Sequence, residues 1–321
     1  MKKLKPSGFV ISLDFELFWG VHDVIEGDNY KTNLLNAKFS VEEILDLFDV
    51  FDISATWAVV GMLLAEDELG LSKYRPELLP EYSDGNLNPY NKLSNLLSDD
   101  IYFANDVIEK IKVAKNQKLA SHTYSHYYAL EDGQNLEAFK SDVNAFDLIS
   151  KNSGFSPSSI VFPKNQCNEN YFPCLLDNGI NIYRGVEEHW IYRESKFEQS
   201  YFRRLFRLMD SYFNLTGHHV FNINARSNMI SVPSSRFLRP YSKKSNLLNW
   251  LRLNRIKKSM TYAAKQGGFY HIWWHPHNFG QDVESNMFFL RSILKHYKFL
   301  EREYGMKSFS MESAVDFVKN S

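Results

Sequence analysis

Phe9-Val10-Ile11-Ser12-Leu13-Asp14-Phe15-Glu16 is a short apolar run that ends on two carboxylates. The run from Phe9 to Leu13 has the length and apolar content of a buried strand. Residues two apart in an extended segment point to one face, so Asp14 and Glu16 share a side and Phe15 turns the other way. Parallel α/β barrels do their chemistry where strands end, and there one carboxylate can hold a metal while its neighbour takes a proton. Taken alone, the stretch is explained at least as well by a strand cap or by pairing with a lysine.

Working outward, apolar runs and helical patterns alternate. A helix is expected near Ser40 to Val50, where Val41, Ile44, Leu45, Leu47 and Phe48 mark one face. A strand follows at Ala55 to Val60, then a helix from Asn105 to Ala114 and a strand near Lys118 to Ser121. Further units are a helix near Leu136 to Ser150, a strand at Ser159 to Phe162, a helix near Asn168 to Asn178 and a strand at Ile180 to Tyr183. Repeats of about thirty to fifty residues point to parallel βαβ units with right-handed crossovers, hence an α/β fold. Beyond them the sequence predicts an irregular basic and aromatic region over about 190–265, a basic helix near Leu247 to Lys265, a strand at Phe269 to Trp274 and a final helix at Val283 to Glu303. No linker or repeat interrupts the 321 residues, which read as a single domain.

Composition narrows the class. At 44% hydrophobic and 23% charged residues the chain is neither disordered nor fibrous. No run of about eighteen apolar residues predicts a membrane span. Met1-Lys2-Lys3-Leu4-Lys5 resembles a signal-peptide start, but Asp14 and Glu16 interrupt the following apolar stretch, so it reads as an uncleaved first strand. Two cysteines, Cys167 and Cys174, suggest a reducing compartment, and the expectation is a cytoplasmic protein. Charge is split: residues 1–200 hold 18 Lys+Arg against 31 Asp+Glu, whereas residues 201–321 hold 19 against 7. Such asymmetry suggests an anionic partner for the second half.

Two further strand ends carry chemistry. Ser121-His122-Thr123-Tyr124-Ser125-His126 places histidines four apart, able to reach one cation if the chain turns helically, and two His with one carboxylate make a three-ligand site with open positions. His271-Ile272-Trp273-Trp274-His275-Pro276-His277 offers a histidine that could protonate a leaving amine and tryptophans that could wall a pocket. Buried histidines satisfied by backbone explain either segment about as well when it is taken singly.

Together the three segments, with Ala55-Thr56-Trp57-Ala58-Val59-Val60-Gly61 between them, resemble the polysaccharide deacetylases with NodB homology, carbohydrate esterase family four, over most of the chain. The resemblance implies a distorted (β/α) barrel with fewer than eight repeats, one divalent metal, usually zinc, and removal of an N-acetyl group from an amino sugar. It implies Glu16, His122 and His126 as metal ligands, Asp14 as general base and His275 as general acid. Two departures stand out. Phe15 follows Asp14 where many members have a second aspartate, so the ligand role passes to Glu16. The segment Val161-Phe162-Pro163-Lys164-Asn165-Gln166 keeps Pro163 but lacks the family's arginine, leaving Lys164 or Arg184 to hold Asp14 ionised and the Lys164 N–H to face the oxyanion. Trp57, Pro163, Trp190 and Trp274 are the expected substrate contacts.

The expected substrate is a biosynthetic intermediate of a cell-surface polysaccharide, a nucleotide-linked or lipid-linked amino sugar or an oligosaccharide, in keeping with the basic second half. Leu247, Leu248, Trp250, Leu251 and Ile256, interleaved with Arg252, Arg255, Lys257 and Lys258, suggest peripheral contact with an anionic membrane, at its inner face, or else an ordinary barrel helix with a solvated basic side. No nucleic-acid motif accompanies the charge. A deformylase or other amidohydrolase, and an inactive glycan-binding protein of the same fold, are the competing readings.

Overall fold

The computed structural model describes residues 6–24, 30–95, 101–187, 189, 191–192 and 201–321. Strand β1 (Ser7–Phe15) is buried at all nine positions and forms the centre of the sheet. On one side follow β2 (Ala55–Val59), β3 (Gln117–Ser121), β4 (Ser159–Ile160), β5 (Ile182–Tyr183) and β6 (Ile230–Ser231). On the other lie β8 (Gly268–Trp274) and then β7 (Arg236–Phe237), so the order is β6-β5-β4-β3-β2-β1-β8-β7. A ninth strand, β9 (Lys307–Phe309), pairs with Gly8 to Val10, below the stretch of β1 that pairs with β2. Every one of these strand pairs is parallel.

A strand order that advances by one neighbour per step, with helices in the crossovers, curls in one sense. The two ends of that order, β6 and β7, are only residues 232–235 apart in the chain. Within this segment the Ser234 N–H donates to Gly185 O, just past β5, and the next N–H, of Ser235, donates to His271 O in β8, at 2.8 and 2.7 Å. One irregular segment thus serves both edges and closes a distorted (β/α) barrel.

Side-chain alternation sorts the strands into two faces. Phe9, Ile11, Leu13 and Phe15 of β1, Trp57 and Val59 of β2, and Tyr270, Ile272 and Trp274 of β8 join the large outer core under the helices. Helix Ala37–Val50 meets it with Val41, Ile44, Leu47 and Phe48, each such side chain contributing ~1.5–3 kcal/mol when fully buried. Val10, Ala58, Ala120, Ile182, Ile230 and Phe269 form an inner cluster that Met311, Ala314 and Val315 of the last helix, Met311–Lys319, plug from the bottom. The last helix is fixed there by the Glu312 carboxylate, which accepts hydrogen bonds from Thr56 Oγ1, at 2.7 Å, and from Ser159 Oγ. The last helix therefore closes the barrel below, and the open mouth lies at the top, where the strands end.

Several expected elements differ. Val283–Tyr304 is not the final helix: β9 and Met311–Lys319 follow, with Gly305 at φ 68° ending the long helix in the left-handed region that a residue with a Cβ resists. The irregular region contains the helix Tyr201–Asp210 and strands β6 and β7. In helix Asn246–Gln266, Arg252 and Arg255 are buried beside Ile256 instead of forming a basic outer face. They hold Pro240 O, at 2.9 Å, and Gly217 O. No helix among the described residues is long and apolar enough to cross a membrane.

Candidate metal centre and active site

The top of the barrel is an open cavity of about 780 Å³. β1 delivers Asp14 and, one step beyond its end, Glu16; the turn after β3 delivers His122 and His126; the segment after β8 delivers His275 and His277. Glu16 is the hub. Its Oε2 lies 3.1 Å from His122 Nε2 and 3.2 Å from His126 Nε2. Its Oε1 lies 3.5 Å from His275 Nε2 and 4.0 Å from His277 Nε2. Glu16 with His122 and His126, and Glu16 with His275 and His277, are each grouped closely enough to hold a metal ion.

Hydrogen bonding fixes what these rings present to the centre. His122 Nδ1 sits 2.7 Å from Val161 O, and a carbonyl only accepts, so Nδ1 carries the proton. A neutral His122 then turns the Nε2 lone pair toward the lone pairs of Glu16 Oε2, an arrangement that requires a cation between them or an extra proton. Burial pushes His126 down to about 4, against the pull of Glu16, which leaves it neutral at neutral pH. Burial works to raise the Glu16 carboxyl, but the surrounding histidines, His275 first, outweigh it and hold it well below the usual range.

The donor set fits a divalent ion. Metal bonds of about 2.1 Å at 90–109° separate donor atoms by about 3.0–3.4 Å, the spacing seen at Glu16 Oε2. His126 Nδ1 is buried without a hydrogen-bond partner, so the ring is held by packing and by what its Nε2 faces. His122 donating its second nitrogen to a backbone carbonyl is the outer support that orients metal-binding imidazoles.

The turn carrying both histidines is pinned from behind. Asp142, on helix Leu136–Asn152, accepts from the Tyr124 N–H at 2.7 Å, the Ser125 N–H at 3.1 Å and the Ser125 hydroxyl. Thr123 and His126 lie at φ 62° and 58°, so the pair meets through a tight left-handed turn, not through the helical spacing suggested by i, i+4. Such strain persists where surrounding bonds over-determine it.

Arg184, just past β5, reaches across the barrel to Asp14. Its Nη1 and Nη2 donate to Oδ1 and Oδ2 at 2.6 and 2.7 Å, and Nη1 also donates to Ser12 Oγ at 3.1 Å. The guanidinium lies 4.1 Å over the Trp273 ring and donates to Asn165 Oδ1 at 2.9 Å. Burial acts to raise the Asp14 carboxyl; Arg184, with His122 and His275, prevails and keeps it below the usual range. Lys164 instead places Nζ 2.6 Å from Asp23 and 4.1 Å over the Tyr128 ring, so of the two candidate cations Arg184 is the one on Asp14. Lys164 still lines the cavity, at φ 51°.

His275 Nε2 stands 3.7 Å from Asp14 Oδ2. Its Nδ1 contacts Asn278 Nδ2 at 3.1 Å, and Asn278 Oδ1 accepts from the Tyr30 hydroxyl at 2.7 Å. Rotation of that amide exchanges donor for acceptor at Nδ1, so the pair accommodates both neutral and protonated imidazole.

The expected substrate contacts fare unevenly. Trp57 is wholly buried in the outer core, donating to Gln117 Oε1 at 2.9 Å, and Trp274 stacks on Phe279 in the same layer. Neither reaches the cavity, because strand alternation turns both outward; Trp273 and Phe237 line it instead. Pro163 is buried beneath the mouth. Trp190 lies outside the described residues. Asn165, His277, Tyr30 and Asn278 were not singled out from sequence, although the spacing of His277 two beyond His275 already put them on one face of an extended segment.

No protein-family model and no curated protein matches the sequence. Solved structures do share its fold. A "putative polysaccharide deacetylase" from Mycobacterium smegmatis aligns over 99% of this chain and 96% of its own, with TM-score 0.56 and 12% identity. Puue allantoinase aligns over 96% and 89%, with TM-score 0.51 and 11% identity. The 4-alpha-glucanotransferase of Thermococcus litoralis aligns over 98% of this chain but 40% of its own, with TM-score 0.53 and 10% identity. The fold is that of the NodB-type polysaccharide deacetylases.

Proposed function

We propose that the chain is a metal-dependent hydrolase that removes an N-acetyl group from an amino sugar in a precursor of a cell-surface polysaccharide. The observation that carries this reading is the meeting of His122 Nε2, His126 Nε2 and Glu16 Oε2 with Asp14 held beside them by Arg184. The fold it shares with a "putative polysaccharide deacetylase" supports the substrate class. So does the cavity, which Trp273 and Phe237 line, aromatic side chains being suited to the apolar side of a pyranose.

Glu16, His122 and His126 would hold a divalent ion, zinc by the character of the donors, which would supply Lewis-acid polarisation of water and of the amide carbonyl. The residues do the rest. Arg184 keeps Asp14 ionised and in one orientation, leaving it free to accept the proton of the attacking water. The Lys164 backbone N–H is the donor we assign to the oxyanion. His275 gives a proton to the departing nitrogen, which cannot leave as an anion. The proton on Asp14 then returns to His275 through a water that enters with product release, the two groups standing 3.7 Å apart, which restores both.

The test is amine release from a panel of acylamino sugars by the metal-loaded protein. Turnover of an N-acetyl substrate that is lost in Asp14→Asn supports the reading. Turnover of N-formyl sugars alone would move the activity to a deformylase, and no release from any acylamino sugar would remove the hydrolase assignment.

A further inference from the structure

A second cavity of about 550 Å³ opens off the first, sharing Lys164, Asn165, Phe237, Trp273 and His275 with it. Its remaining wall carries Arg204 and Arg207 from the helix Tyr201–Asp210, and Arg236 and Arg239 from β7 and the residues after it. Two of the cations here are already matched, Lys164 by Asp23 and Arg236 by Asp210, at 2.6 and 2.8 Å. Glu187 is the carboxylate on this wall, and burial pushes its carboxyl up. Among the described residues no carboxylate forms an ion pair with Arg204, Arg207 or Arg239. Burial pushes both Arg207 and Arg239 down, and neighbouring arginines add to it, Arg203 and Arg239 on Arg207 and Arg236 on Arg239, although Glu187 pulls Arg207 the other way. Three guanidinium groups around one space match the oxygens of a phosphate.

The helix that supplies two of them has a second face. Arg204, Arg207, Leu208 and Ser211 recur at helical spacing and line the cavity. On the opposite side Phe202, Leu205, Phe206 and Met209 follow the same period, and they are 74, 53, 47 and 40% exposed. A helix basic on one face and openly apolar on the other has the make-up of one that lies in a membrane interface.

We propose that the second cavity takes the phosphate of a lipid-phosphate-linked acylamino sugar, with Arg204, Arg207 and Arg239 on the phosphate and Phe202, Leu205, Phe206 and Met209 resting on the membrane that carries the lipid. The sugar then extends through the shared mouth, past Trp273 and Phe237, to the metal centre. This rests on the hydrolase reading for the identity of the sugar amide, though phosphate binding does not require turnover. A nucleotide carrier would use the same arginines but would leave the apolar face in water, which is why the lipid is the source we assign.

Binding measurements on the full-length chain separate these points from catalysis. N-acetylglucosamine 1-phosphate is expected to bind at least about tenfold more tightly than N-acetylglucosamine, since charged hydrogen bonds of this kind typically account for one to two orders of magnitude. Arg204→Gln with Arg239→Gln should abolish that difference while leaving the neutral sugar's affinity unchanged. Equal affinity for the two probes in the unmodified chain overturns the phosphate site, whatever the deacetylase assay shows. Phosphatidylcholine vesicles containing a polyprenyl phosphate should sediment the protein, and Phe202→Ser with Phe206→Ser should prevent this without altering binding of the soluble sugar phosphate. Phosphate preference without vesicle binding overturns the lipid carrier and favours a nucleotide-linked sugar.

Discussion

Arg184 and Asp14 lie 170 residues apart in the chain and meet as a bidentate pair, both carboxylate oxygens bonded, at 2.6 and 2.7 Å. The arginine comes from the end of β5 and the aspartate from β1, so the pair spans the barrel mouth and depends on the barrel closing.

Removing the cation leaves a buried charge unpaired. Arg184→Met is expected to lower stability by about 3–5 kcal/mol and to cut turnover sharply, because Asp14 would lose both its ionisation and its orientation. Urea unfolding at neutral pH measures the first effect. Unchanged stability would mean that Asp14 finds another partner.

Asp142 touches no expected ligand, yet it accepts two N–H groups and a hydroxyl from the turn between His122 and His126. In Asp142→Asn an amide NH2 would face one of those donors. Metal affinity should fall about 10–100-fold with the fold retained, since outer-shell supports typically have effects of that size. Competition with a chromogenic chelator reads it directly.

Gly20 is a second remote control on the same centre. A Cβ built on it would overlap the Glu16 carboxyl group, so Gly20→Ala has to displace the carboxylate that the histidines share. The expected result is loss of metal binding with little change in secondary structure by circular dichroism. Full metal occupancy in Gly20→Ala would show that Glu16 is not needed.

Away from the site, Asp210 is fully buried and accepts from Arg236 and from Tyr192, both at 2.8 Å. Burial tends to raise its carboxyl, but Arg236, the Tyr192 hydroxyl and Arg255 outweigh it and hold the group below its ordinary value. A carboxyl depressed in the folded state adds stability above the unfolded value near 3.9, and that contribution is lost as pH falls through the folded value. Unfolding free energy should therefore drop as the pH falls from about 4 to about 2, and drop less in Asp210→Asn, which should itself be about 3–5 kcal/mol less stable at neutral pH. Equal acid sensitivity in the two proteins would discount the network.

Much of this architecture was legible because long periodic segments announce themselves: helices Ala37–Val50, Asn105–Val113 and Asn246–Gln266 fall within a few residues of where their apolar spacing puts them. Of the short elements, β4 and β5 lie inside the expected apolar runs, but β6, β7 and β9 did not register. β6 and β7 have two residues each, and Lys307-Ser308-Phe309 has one apolar side chain, too little for any period to register. The same limit explains the tryptophans. Adjacent residues of a strand face opposite sides, and without its register Trp273 and Trp274 cannot be told apart. Nor could spacing choose between Lys164 and Arg184, because the choice depends on how strands β4 and β5 stand across the barrel from β1. Tyr30 and Asn278 became visible only through a contact spanning 248 positions.

The most direct test is metal analysis of the purified protein and three variants. One divalent ion per chain is predicted, retained in Asp14→Asn together with a fall in turnover of roughly two or more orders of magnitude, and lost in Glu16→Gln and His122→Ala. A protein that binds no divalent ion, or binds it equally well after His122→Ala, would contradict the metal centre and with it the hydrolase.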